Sequence, residues 1–383
     1  MRNVNFQPTP DQRTLCEAVR EFGRSLNEGI AERDSRGDFP RDLWKRCAEF
    51  GIQGLPVPAE YGGAGQDLTT TILAMEALGY ACRDNGLVFS LNAQMWAFEL
   101  PLVRFGSEDQ KRRYLPALCR GELIGAHAVT EPEFGSDAMS MASRYGRVGD
   151  DYVLDGTKTF VTNGPVADVI LAFASVDRGL KAAGISAFLV DRGTPGMSLS
   201  GPISKMGLRT SPMGEVALSG CRVPAGNRLG SEGAGVAIFN AAMEWERACI
   251  FASHLGSMQR LMEDTIAYAR ARKQFGQPIA RFAPIANRIV DMKVAIEAGR
   301  LLLYKVGAVK DAGGDAVLDA AIAKLFVSEA HVRQSLDALQ IHGGYGYSTE
   351  YQVEREVRDA IPGTIYSGTS EMQRKIIARL LGL

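Results

Sequence analysis

The chain is short of several features that would assign it quickly. Its six cysteines, Cys16, Cys47, Cys82, Cys119, Cys221 and Cys249, are scattered with no CxxC pair. That excludes a paired-cysteine zinc site and a disulfide framework, no metal is expected, and a reducing cytoplasm fits best. Charge of one sign is also missing: 43 Lys and Arg face 44 Asp and Glu, a formal net charge of −1. Such a balance offers no field to draw in nucleic acid or an anionic membrane, so neither is expected as a partner. The start, Met1 to Phe6, leads into polar residues, and neither a signal peptide nor a transmembrane span is expected. A GxGxxG turn is absent too, so any dinucleotide must be held without a Rossmann fingerprint.

What is present is length and a change of texture. A chain of 383 residues exceeds one ordinary hydrophobic core, and two or three packed units are expected. Leu15, Val19, Phe22 and Leu26 open a helical periodicity that continues to about residue 123. Short β-rich runs follow: 152–154, 159–161, 169–171, 187–190 and 216–218. Asp155-Gly156 reads as a hairpin turn, because glycine accepts positive φ. Long amphipathic stretches then return over 238–272, 285–309, 317–342 and 369–381. The pattern predicts an α+β chain: a helical unit over 1–123, a β unit over 124–224 and a second helical unit over 225–383. No internal repeat or long linker separates them.

Four segments could carry chemistry, and each has a plain structural reading beside it. His127 to Asp137 joins the first two units; its small residues would let backbone N–H groups approach a ligand, and it could equally be an ordinary turn. Phe160 and Thr162 share a strand face by the two-residue period, which suits a flat heteroaromatic ring and equally suits a core Phe beside a surface Thr. Arg272, Phe275, Gly276 and Pro278 read as a helix end with a basic last turn. Gln340, Gly343 and Gly344 could cap a helix, and their paired glycines would also admit a dinucleotide backbone.

The fifth segment is Ile365-Tyr366-Ser367-Gly368-Thr369-Ser370-Glu371-Met372-Gln373. It resembles the active-site signature of the flavin-dependent acyl-CoA dehydrogenases, and the other four recur in that family's order and approximate spacing across essentially the whole chain. One residue departs. Where most of that family carries a glutamate that removes the substrate's α-proton, this chain has Ser367, too weak a base alone. A minority of the family takes its glutamate from the helix that here carries Glu246-Arg247. Helical spacing argues for Glu246 independently: Ala242, Met243, Cys249 and Ile250 lie three and four residues away, so its carboxylate enters apolar company, where burial makes a better base. A structural ion pair with a neighbouring arginine is the plain alternative. Glu244, flanked by Asn240 and Arg247, looks solvated or paired.

The resemblance implies an N-terminal helical domain, a middle β barrel or sandwich, a C-terminal four-helix bundle and a homotetramer. It implies FAD contacts from His127, Val129, Thr130, Gly135 and Ser136, with the flavin ring against Phe160 and Thr162. Arg272, Phe275, Gln340, Gly343 and Gly344 would meet the FAD of another subunit, and Thr369 and Glu371 would also lie on FAD. Ala283 stands where the family commonly has Gln, so one hydrogen bond to the cofactor is expected to be missing. Substrate contacts are implied from Ser136, Arg247, Tyr366, Ser367 and Gly368, with Glu246 as the base. The expected activity is α,β-dehydrogenation of an acyl thioester, carried on CoA or a carrier protein, with an electron-transfer flavoprotein or oxygen as electron acceptor. The segments around Glu246 and Ser367 look like the branch acting on carrier-bound acyl and prolyl groups. A catabolic short- or branched-chain acyl-CoA enzyme, a flavin oxidase or monooxygenase on the same fold, and a flavin-free scaffold are the competing readings.

Overall fold

The structure, a computed structural model, describes residues 7–383; the opening run Met1 to Phe6 and the expectation attached to it lie outside the described residues. Helices come first: α1 (Pro10–Arg24), α2 (Ile30–Arg36), α3 (Arg41–Phe50), α4 (Leu68–Ala81), α5 (Asn85–Gln94), α6 (Leu100–Phe105) and α7 (Glu108–Cys119). Their starts are chemically marked. Thr9 with Gln12 and Ser107 with Gln110 form capping boxes, and Asp67 and Asp84 accept from the N–H groups of Thr70 and Leu87, satisfying donors that a first turn leaves unpaired.

A mixed sheet follows, built from β1 (Gly125–Ala128), β2 (Arg144–Val148), β3 (Asp151–Thr162), β4 (Val169–Ser175), β5 (Ile185–Asp191), β6 (Met197–Leu199), β7 (Met213–Pro224) and β8 (Arg228–Leu229). Its order is β6-β7-β3-β2-β4-β5-β8, with β1 parallel to β4. β4 reads as one apolar run because both its faces are covered. Val169, Leu171 and Phe173 join Tyr114, Leu115 and Leu118 of α7, while Ile170, Ala172 and Ala174 turn to Tyr145, Tyr152 and Val216 within the sheet.

The predicted hairpin at Asp155-Gly156 is not there. Both residues lie inside β3, at a register shift between Leu154 and Gly156. The turn joining β2 to β3 is Gly149-Asp150, flanked by the pair Val148 and Asp151. Gly156 serves close approach instead: a Cβ there would sit 2.1 Å from Ser143 Oγ. The extra residue at that shift belongs to β7, and a local Asp-Gly signal cannot distinguish a turn from a strand position that another segment approaches closely, since both favour glycine.

The remainder is helical: α8 (Gly235–Ala271), α9 (Ala283–Asp311), α10 (Val317–His342), α11 (Gly344–Tyr347), α12 (Val353–Ala360) and α13 (Ser370–Leu380), with a two-stranded ribbon of β9 (Lys273–Gln274) and β10 (Gln277–Pro278) after α8. The 37-residue α8 is the spine. It packs on α4, α5, α6, α9 and α10, which explains why apolar residues surround it rather than lining one stripe. Glycines set its crossing with α4: a Cβ on Gly79 would lie 2.0 Å from Ser253 O, and one on Gly256 2.1 Å from Glu76 O. Among the described residues no helix is long and apolar enough to cross a membrane.

Candidate active site

Glu246 sits in the N-terminal third of α8. Ala242, Met243, Cys249 and Ile250 are all buried around it, as the helical spacing predicts. Ser367 Oγ donates to Glu246 Oε1 at 2.5 Å, whereas Oε2 is buried with no hydrogen-bond partner among the described residues. Burial drives this carboxyl above the ordinary carboxylate range, against the pull of the Ser367 hydroxyl and the Arg247 cation. The ion-paired alternative describes Glu244 instead, which takes Lys310 Nζ at 2.9 Å and the Ala316 N–H at 3.2 Å.

The turn that delivers Ser367 is clamped. Ser367 and Gly368 both have left-handed backbones, φ 54° and 86°. Ser367 O accepts from Arg247 Nε at 3.2 Å and Gln373 Nε2 at 3.1 Å, and Gln373 Nε2 also reaches Gly368 O at 2.9 Å. The Ser367 N–H donates to no protein group among the described residues. Tyr366 packs its ring on Phe89 at 4.6 Å, and its hydroxyl lies 2.6 Å from His254 Nε2. His254 Nδ1 in turn faces His331 Nδ1 at 3.1 Å. Burial pushes both imidazoles below their ordinary range, His331 to about 4, so the pair is neutral near pH 7. Thr369 caps α13, its hydroxyl accepting from the Met372 N–H at 3.2 Å, and Glu371 is exposed beside it.

A second group lies on β1 and the loop after it. The His127 ring stacks on Phe239 of α8 and meets Phe173 edge-on; burial and nearby Lys158 hold it down at about 3, hence neutral. Phe239 precedes Glu246 by seven residues, so the two share a helix face about 10 Å apart along the axis. His127 thus adjoins the Glu246 face. The loop is fastened underneath by a buried ion pair, Lys158 Nζ to Glu131 Oε1 at 2.7 Å, and Lys158 also reaches Val129 O. Above that anchor, the Val129 and Thr130 N–H groups donate to no protein group among the described residues, and Gly135 and Ser136 are exposed, with nothing within 4 Å of a Cβ on Gly135. On β3 an extra residue enters between Lys158 and Val161. That bulge reverses the alternation, burying Thr159 and Val161 and leaving Phe160, at φ 55°, 58% exposed with Thr162 part-exposed. The core-Phe reading therefore fails.

The third group is elsewhere. Arg272, Phe275, Gly343 and Gly344 line a cavity of about 680 Å³ with Tyr268, His342 and Tyr345, at the far end of α8, roughly 40 Å along the axis from Glu246. Arg272 lies over the Tyr345 ring at 5.5 Å. Phe275, at the tip of the β9–β10 ribbon with φ 48°, is 92% exposed. Gln340 is exposed one turn before Gly343 and is not part of the lining. Among the described residues no cluster of three or more His, Cys, Asp or Glu could hold a metal ion.

Three family models match in succession: the acyl-CoA dehydrogenase N-terminal domain over residues 9–122, the middle domain over 126–221 and the C-terminal domain over 233–382. The chain belongs to the acyl-CoA dehydrogenase family. Among its relatives in that family, an L-prolyl-[peptidyl-carrier protein] dehydrogenase from Pseudomonas fluorescens is 44% identical over 346 residues, covering 90% of this chain and 91% of the relative. The prolyl acyl carrier protein oxidase AnaB superposes with a TM-score of 0.97 at 48% identity, over 98% of this chain and all of that one. PigA, solved with FAD and proline, gives 0.97 at 39% identity, over 99% of this chain and all of that one.

Several site residues escaped the sequence reading. Gln373, within the quoted signature, holds two carbonyls of the turn. His254 and His331 carried a faint signal: the chain has only 4 histidines. Lys158 and Glu131 fasten the loop; Glu131 lies within the segment His127 to Asp137, but nothing in the sequence pairs it with Lys158.

Proposed function

We propose that this acyl-CoA dehydrogenase family member oxidises an acyl thioester at its α,β-bond, that Glu246 takes the α-proton, and that the acyl group arrives on a carrier protein. The observation that carries this is the Glu246 carboxyl: buried, raised above the ordinary range and, among the described residues, unpaired with any cation and free at Oε2. A general base works best when its pKa lies near the operating pH. The Ser367 N–H, unengaged by protein among the described residues, supports a thioester carbonyl at that point, where negative charge develops as the α-proton leaves. Replacing glutamate by serine there keeps this donor.

FAD fits the residues present. The unengaged N–H groups of Val129 and Thr130, the open Gly135 and Ser136, the Thr162 hydroxyl and the exposed Phe160 ring would hold its flavin end. Bound FAD supplies the acceptor for the β-hydrogen as hydride. Because Arg272, Phe275, Gly343 and Gly344 are remote from Glu246, they would serve the FAD of a second copy, in keeping with the exposed Phe275; Gln340, Thr369 and Glu371 have less support as cofactor contacts. The electron acceptor is an electron-transfer flavoprotein or oxygen.

The names of the Pseudomonas relative and of AnaB, both carrier-linked, support the carrier-protein handle over CoA. Anaerobic absorbance with one prolyl group presented on CoA, on pantetheine and on a carrier protein tests it. The carrier-bound group should reduce the cofactor fastest. Equal or faster reduction by the CoA thioester would replace this reading with a catabolic short- or branched-chain one.

A further inference from the structure

We propose that Ser367 is a positioning residue for Glu246: its hydroxyl fixes the carboxylate through Oε1, favours the ionised form, and leaves Oε2 as the proton-accepting atom. This rests on Glu246 being the base. When the carboxyl is ionised the hydroxyl is the donor, since a carboxylate only accepts, and 2.5 Å is the distance of a charge-assisted O–H···O⁻ bond. When a proton reaches Oε2, the bond to Oε1 need not rearrange. One oxygen is held and the other works.

The backbone argues for the hydroxyl as well. Ser367 stands at φ 54°, where glycine is the least strained residue and any side chain carries a steric cost. The clamp on its carbonyl from Arg247 and Gln373 holds it in that conformation. If the position were merely a spacer in the turn, glycine would serve better. What serine adds at this φ is the Oγ that meets Glu246. The contact joins residues 121 positions apart, so it depends on both the α8 register and the turn.

The test compares the holoenzyme with Ser367→Ala, Ser367→Gly and Glu246→Gln, following anaerobic flavin reduction by a reactive acyl thioester across pH. Losing the hydroxyl should move the acid limb of the rate upward by about one pH unit, a tenfold change in the protonation equilibrium, equally in the Ala and Gly variants. A spacer role predicts instead an unmoved limb, with Gly at least as stable as the parent. Infrared titration of the cofactor-free protein gives a second readout. The carboxyl band that disappears in Glu246→Gln should titrate at higher pH in Ser367→Ala. Unmoved midpoints in both Ser367 variants, with Glu246→Gln inactive, would overturn the positioning role alone. Full reduction by Glu246→Gln would overturn the base assignment and this inference together.

Discussion

Glu244 and Glu246 stand two residues apart on one helix, about 200° around its axis, and face two different regions of the molecule. On one side Glu244 is locked to Lys310 and to the Ala316 N–H, tying α8 to α9 and to the start of α10. On the other, among the described residues, Glu246 meets a single hydroxyl and keeps one oxygen unpaired. Both are largely removed from water, so burial alone does not separate them. The partner does. A cation turns a buried carboxylate into a strut, whereas a lone hydroxyl leaves it ionisable at a cost that the rest of the fold must offset.

The largest expected effect breaks the Glu246 side. Glu246→Gln should slow flavin reduction by ~10²–10⁴-fold, the usual loss for a general base, with the cofactor-to-protein ratio unchanged. In the parent the rate should fall as pH drops through a limb above the usual glutamate value of about 4.3, because the raised carboxyl must be ionised to act. Stability should move the other way. A carboxyl whose folded-state pKa is raised stabilises the fold below its unfolded value and loses that contribution as pH rises through the folded value. Denaturant titration should therefore find Glu246→Gln at least as stable as the parent at neutral pH, with an advantage that disappears in acid. A marked loss at neutral pH would mean that Glu246 is itself a strut.

Next in size, Arg272→Ala should weaken FAD retention by about tenfold, since a cation near a diphosphate loses its charge-assisted bonds, while leaving the acid limb in place. Ultrafiltration with absorbance reads this; unchanged retention would put the diphosphate elsewhere. The smallest effect belongs to the other glutamate. Glu244→Gln should cost about 1–3 kcal/mol of stability, the penalty for leaving a buried partner unsatisfied, and change the reduction rate by less than about threefold. If it slowed catalysis as much as Glu246→Gln, the contrast between the two glutamates would collapse.

Much of this contrast was legible in the sequence, and the missing parts share a cause. Periodicity located the long helices and put Ala242, Met243, Cys249 and Ile250 around Glu246, because i,i+3 and i,i+4 neighbours follow from helix geometry. The order of segments identified the family. Contacts between distant segments were not legible: Ser367 with Glu246, Gln373 with the turn carbonyls, and Lys158 with Glu131 depend on how the elements dock, which no local pattern encodes. Local signals also mislead where one residue serves two geometries. Asp155-Gly156 reads as a turn and lies inside β3 opposite an extra residue of β7, and a bulge in β3 itself, at Phe160, gives that ring the exposure that its apolar character alone would not predict.

The central claim, that Glu246 removes the α-proton, is tested most directly by hydrogen exchange at the substrate's α-carbon, which isolates proton removal from hydride transfer. With a thioester that cannot lose its β-hydrogen, incubated anaerobically in D₂O, the parent enzyme should wash deuterium into the α-position. Glu246→Gln, carrying a full complement of FAD, should do so slower by ~10²-fold or more. Exchange at the parent's rate in that variant would contradict the account and place the base on another side chain.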